Sequence, residues 1–202
     1  VSQVFNPEEI VMSIIDKVVA AVTPPESEQA RRDARSKAKA AARPGDWLFT
    51  VLQHHEQIEA AFATVKAAPN AMAQIAAQKT LAVILTGHSI AEESVIYPAL
   101  TKVDEKGHAG MAYTEQAAAK TQMALLEGLT PMTQEYLDKL EHIRGAVAHH
   151  VYEEEGTWFL ELREKAPQEA QAKLTERYHE EFNRYVGREG TPEASRLRAS
   201  GT

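Results

Sequence analysis

His88 to Leu100 reads HSIAEESVIYPAL, and His150 to Leu162 reads HVYEEEGTWFLEL. In both stretches a His is followed four positions later by the first of two Glu, then by a bulky apolar pair, and the stretch closes on Leu. Positions four apart share a helix face, so each stretch offers an imidazole and a carboxylate side by side. Helical bundles hold pairs of iron or manganese ions with such groups. One His-x-x-x-Glu is a weak signal, but its repetition with the same apolar sequel is fairly specific.

Such residues need rods to carry them. The chain has 202 residues, 44% hydrophobic and only 6% aromatic, and Ala, Leu, Glu, Lys and Gln dominate its middle. A nearly all-helical protein is expected. Asn6-Pro7-Glu8-Glu9 starts a first helix whose apolar stripe runs from Ile10 to Val22, and a charged, Ala-rich segment follows from about Glu26 to Ala42. Pro44-Gly45-Asp46 marks a boundary, with Asp46 placed to cap the next helix. Four helices are then predicted, at about Asp46 to Lys66, Asn70 to Leu100, His108 to Glu127 and Met132 to Lys165. Their short connections imply an antiparallel up-down four-helix bundle with additional N-terminal helices. The expected domains are 1–45, a helical extension; 46–166, the bundle; and 167–202, a helix and tail.

The inward stripe of the first bundle helix is Leu48, Val51, Leu52, His55, Ile58, Phe62 and Val65. The second gives Leu81, Ile84, Leu85, His88, Glu92, Val95 and Ile96, and the fourth Leu140, Ile143, Val147, His150, Glu154 and Trp158. Residues equidistant from a hairpin turn lie at one level, and this places His55, His88, His150, Glu92 and Glu154 in one layer. On the third helix, a stripe through Ala112, Gln116, Ala119, Met123 and Leu126 brings Gln116 to that layer. A stripe through Met111, Glu115, Ala118, Gln122 and Leu125 brings Glu115 instead. Buried carboxylates without a partner cost several kcal/mol each, and no inward stripe of helices one, two or four carries Lys or Arg. A cation answers them.

With these residues in place, the chain resembles the hemerythrin and HHE cation-binding family over roughly Asp46 to Lys165. His55 in QHHEQI, His88 with Glu92, and His150 with Glu154 match the family's pattern. The resemblance implies a non-haem iron pair, His55 and His88 serving one ion, His150 the other, and Glu92 and Glu154 bridging. Manganese and zinc share these ligands. The implied small-molecule ligand is dioxygen, peroxide or nitric oxide. Family members usually have Glu-His where this chain has Glu115-Gln116, so the second ion would gain oxygen donors. That favours a di-iron oxidase or peroxide-decomposing enzyme as the alternative, with a non-catalytic sensing or interaction bundle as a third reading.

The remaining polar residues divide by angle. Glu59 shares the face of His55 and is a further candidate ligand. His54 and His149 point about 100° away from their neighbours and are expected beside the site or on the surface. Glu93 and Glu155 are expected in solvent or accepting hydrogen bonds from ligating imidazoles. His108 and His142 carry no expected role. Tyr97, Tyr113 and Trp158 are core candidates, Tyr113 also lying close enough in sequence to the missing helix-three ligand to offer a phenolate. The basic residues from Arg31 to Arg43 are expected to form a solvated helix face.

Composition removes several function classes. Without cysteine there is no disulfide or thiolate metal site. The net charge of -7 argues against nonspecific nucleic-acid binding. No apolar run reaches membrane-spanning length, and the amino end lacks a signal-peptide succession, so a cytoplasmic monomer or homodimer is expected.

Overall fold

Side-chain caps set where the rods begin. Ser27, Asp46, Asn70 and Thr133 each accept from the backbone N–H three residues on, at 3.1, 2.8, 3.0 and 3.2 Å. These bonds satisfy amides that a helix start leaves orphaned. Where Gly107 precedes a helix it takes φ +76°, a conformation that costs a residue without Cβ little. The computed structural model describes residues 26–103 and 107–190, with side chains through 187. The helix expected from Asn6 and the tail beyond residue 190 lie outside the described residues.

The helices are α1 (Glu28–Ala41), α2 (Trp47–Lys66), α3 (Ala71–Ala91), α4 (Tyr97–Leu100), α5 (His108–Glu127), α6 (Gln134–Glu153), α7 (Phe159–Lys165) and α8 (Gln168–Gly190). No strand occurs among the described residues. Between α3 and α4, and between α6 and α7, the rod continues through one π-helical turn, at Glu92–Ile96 and Glu154–Trp158. Each π turn begins on the carboxylate of a His-x-x-x-Glu pair. Such turns widen the helix by one residue and rotate everything after them.

Four rods form the bundle: α2, α3–α4, α5 and α6–α7, with α2 against α3 and α6, and α5 against α6. The two remaining helices line α2 on either flank. On one side α1 packs on the π turn after α6, and on the other α8 packs on α3 and α2. The approach of α8 is close, since a Cβ on Gly87 would stand 2.8 Å from Val186 Cγ2. Trp47 ties α2 to α8 by donating from its backbone N–H to Thr175 Oγ1 at 3.0 Å and from its indole to Gln171 at 3.3 Å.

The core is split in two. One apolar layer collects Trp47, Leu48, Val51, Leu52, Val95, Ile96, Leu100, Trp158, Phe159 and Leu162. The other collects Ile58, Phe62, Val65, Leu81, Leu85, Leu126, Tyr136, Leu140, Ile143 and Val147. Each large side chain buried here contributes roughly 1.5–3 kcal/mol, enough to carry a polar layer between them. Among the described residues, no helix is long and apolar enough to cross a membrane.

Candidate metal centre

Between the two apolar layers lie His55, His88, His150, Glu92 and Glu154, all buried. One ligand atom from each of His55, His88, Glu92 and Glu154 lies within 4.8 Å of the other three. Ligands held 2.0–2.2 Å from a shared ion stand at most about 4.4 Å apart, so little movement would close the set. His55 Nε2 is 3.3 Å from Glu154 Oε2 and 3.9 Å from Glu92 Oε1, and His88 Nε2 is 3.1 Å from Glu92 Oε2. His150 stands one step away, with its Nε2 3.2 Å from the other Glu154 oxygen, Oε1.

Each imidazole is aimed by its far nitrogen. His55 Nδ1 bonds Glu155 Oε1 at 2.8 Å, His88 Nδ1 bonds the Tyr178 hydroxyl at 3.0 Å, and His150 Nδ1 bonds Glu115 Oε2 at 2.8 Å. All three therefore present Nε2 to the interior, the orientation that carboxylate–histidine–metal triads use. Glu155 is itself gripped by Arg35 Nε, 3.0 and 3.1 Å from its two oxygens. The same guanidinium holds Glu59 through its other two nitrogens at 2.7 and 2.9 Å. So α1 supports His55 at one remove, and α8 supports His88 directly.

Buried polar atoms ordinarily find partners. Here His55 Nε2, Glu92 Oε1 and Glu154 Oε2 have no hydrogen-bond partner, and all three point at the same place. Two nitrogen and several oxygen donors without thiolate suit iron, manganese or zinc. The residues present fit a cation.

Burial opposes charge on every member, and the contacts within the cluster decide which groups carry it. Glu92 is pushed up to about 7, first by burial and then by the Glu154 charge. Glu154 is equally buried, but the charges of His150 and His55 close beside it outweigh that and hold it well below the carboxylate range. His150 also meets the burial penalty, and Glu154 with Glu115 nevertheless raises it to about 10. His55 rises likewise against burial, through the nearby carboxylates of Glu154, Glu155 and Glu92. Burial lowers His88, helped by the charge on His55. A cation at this place competes with protons.

Several expectations change at this level of detail. Helix three turns Gln116 inward, its amide 2.6 Å from Glu92 Oε2, while Glu115 stays outside as the partner of His150 Nδ1. Glu59 is not in the cluster, because Arg35 holds it at the surface. The basic stretch is not wholly solvated: the Arg35 side chain is only 21% exposed and turned to Glu155. Tyr113 stays half outside and donates to the Glu93 carbonyl at 2.8 Å. The phenol inside the site is Tyr97, whose hydroxyl lies 2.8 Å from Glu154 Oε1, 3.0 Å from His150 Nε2 and 3.2 Å from Glu92 Oε2. Of the two places expected for His54, the structure has it beside the site, buried, bonded to Tyr178 at 2.9 Å and stacked on Phe182. His108 is buried against Trp158, and His149 bonds Glu26 at 2.9 Å. Glu93 pairs with Lys120 at 2.6 Å rather than with an imidazole.

Two cavities reach this layer. One of about 310 Å³ lies under α1, with Arg31, Arg35 and Arg144 at its sides, Ile58 and Phe62 in its wall, and His55 and Glu155 at its inner end. The other, about 20 Å³, touches His88, Gln116, His150 and Leu85. The smaller one has room for about one water-sized molecule.

No solved structure matches the chain. A curated protein of Nostoc sp. (strain PCC 7120 / SAG 25.82 / UTEX 2576), described as a DNA nickase, is 31% identical over 98 residues. Those residues make up 48% of this chain and 27% of that protein. The pattern of the hemerythrin HHE cation binding domain matches residues 48–162, which runs from the α2 helix that carries His55 past the π turn that begins on Glu154. This chain therefore belongs to the hemerythrin HHE cation binding domain family.

Proposed function

We propose that the buried layer binds a non-haem iron pair and that dioxygen, peroxide or nitric oxide is handled beside it. The observation that carries this is the convergence of the unpartnered His55 Nε2, Glu92 Oε1 and Glu154 Oε2, in a layer whose imidazoles all have Nδ1 engaged. Leaving such atoms bare costs about 1–3 kcal/mol each, and a cation turns that cost into coordination. His55 and His88 would serve one ion and His150 the other, with Glu92 and Glu154 as the carboxylates shared between them. The iron supplies an open coordination position and a change of oxidation state. The chain supplies a buried enclosure, fixed Nε2 donors, and the cavity of about 20 Å³ against His88 and His150, which admits only a ligand about the size of a water molecule.

Metal analysis of the purified protein after growth in iron tests this, with absorption spectra before and after peroxide. Less than about half an equivalent of iron per chain, with no other transition metal in its place, sinks it. A peroxide-consuming enzyme is the second reading, favoured by the Tyr97 phenol oxygen beside His150 at the second position, where the third helix brings no imidazole. Turnover of peroxide by the iron-loaded protein distinguishes the two. Strand cleavage, the activity named for the Nostoc protein, is not part of this reading, because a chain with a net charge of -7 attracts phosphodiesters weakly.

A further inference from the structure

The geometry points to Tyr97 as an oxygen ligand of the second cation position, a phenolate in the place where helix three offers no imidazole. This rests on the metal-binding reading above and adds to it. A phenol has one hydrogen to donate and two lone pairs to accept with, so it satisfies three partners at most. The Tyr97 hydroxyl has four: Gln116 Nε2 at 2.5 Å, Glu154 Oε1 at 2.8 Å, His150 Nε2 at 3.0 Å and Glu92 Oε2 at 3.2 Å. Two carboxylate oxygens compete for its single hydrogen. Two carboxylate oxygens and one imidazole nitrogen have thus gathered round the phenol in the manner of a ligand sphere; a cation in the proton's place satisfies these three and the phenolate, while the Gln116 amide donates to the oxygens from outside.

The π turn explains how Tyr97 gets there. In an α-helix the fifth residue after Glu92 points about 140° away from it. The backbone N–H of Tyr97 instead bonds the Glu92 carbonyl five residues back, and this wider turn brings the ring round to the carboxylate. The ring is fully buried and set edge-on to Tyr113 and to His150. Glu115 holds His150 Nδ1, so His150 Nε2 shares the position with the phenol. Gln116 completes the ring of donors, and its own buried Oε1 has no partner. Coordination forms a bond from the cation to the Tyr97 oxygen and breaks the O–H bond, and the proton passes to solvent. No electron transfer is required.

The test is the colour of the ferric protein. Iron(III) bound by a phenolate absorbs strongly in the visible through charge transfer, and resonance Raman excited in that band enhances tyrosine ring modes. Wild-type protein loaded with iron(II) and oxidised in air is expected to show both, with ring-deuterated tyrosine shifting the modes. Tyr97→Phe is expected to lose the band and up to one iron per chain, while Tyr113→Phe keeps both. If Tyr97→Phe fails to fold, the wild-type band together with its survival in Tyr113→Phe and Tyr178→Phe decides the matter. A ferric wild-type protein without the band, or a band that survives in Tyr97→Phe, overturns the assignment but leaves metal binding intact. A chain that takes up no iron overturns both.

Discussion

Replacing Arg35 by Ala should damage a centre that the residue never touches. Its guanidinium is the only Arg or Lys group on Glu155 among the described contacts, and the Glu155 side chain is 2% exposed. Breaking a buried pair by removing one partner costs about 3–5 kcal/mol. Arg35 itself keeps one edge in solvent, and Glu155 keeps its bond from His55, so about 2–3 kcal/mol is the expected loss. For a chain of this size each kcal/mol moves Tm by about 2–4 °C, giving a fall of roughly 4–12 °C. The freed carboxylate also stops fixing the ring of His55, and metal affinity should fall by about 10–100-fold. Arg35→Lys keeps the charge and loses the fork, so it should land between the two. Glu59→Gln removes only the half-exposed arm and should cost less than about 1 kcal/mol. Calorimetric melting and chelator competition read both quantities. If Arg35→Ala melts and binds metal like the wild type, the support that α1 gives to His55 is not real.

Tyr178→Phe removes one hydroxyl on which both His54 and His88 depend, so metal affinity by chelator competition should drop about 10–100-fold and stability by about 1–3 kcal/mol. An unchanged affinity would mean that α8 merely covers the bundle. Glu26 accepts from Arg31 at 2.6 Å and from His149 at 2.9 Å; burial pushes against its charge, but these contacts win and hold its carboxyl below the usual range. A depressed carboxyl stabilises the fold fully above its unfolded pKa and ceases to as pH falls through the folded value. The stability gap between wild type and Glu26→Gln should therefore be widest at neutral pH and shrink in acid, as urea melts at a series of pH values will show; a gap that does not change with pH refutes the contact.

Much of this was legible in advance, and the reasons are local. Asp46 and Asn70 stand where caps belong, and the apolar stripes of α2, α3 and α6 identified the buried faces. Equal distances from the turns correctly brought His55, His88 and His150 to one height. Gln116 faces inward because its stripe, Ala112 to Leu126, is the more apolar of the two, a weighing that the Ala-rich helix left close. Tyr97 was hidden by the π turn, since regular helical spacing turns it away from Glu92. Nothing in the residue types around Glu92 announces such a turn. Arg35 and Tyr178 were hidden for another reason: from α1 and α8 they meet Glu155 across 120 positions of chain and His88 across 90, and no periodicity within one helix encodes such contacts.

Tyr178 stands between two rings with one hydrogen to give. While His88 Nε2 is free it can keep its own hydrogen, directed at Glu92, and its Nδ1 then accepts from the phenol, which leaves His54 Nδ1 to donate to the phenol oxygen. Once Nε2 is coordinated, His88 must carry its hydrogen on Nδ1 and donate it. The phenol then has to swing its hydrogen to His54, and His54 changes tautomer although no ion touches it. Filling the centre is thereby written into the protonation pattern of an imidazole stacked on Phe182 in α8, where nitrogen-15 shifts of His54 would read it.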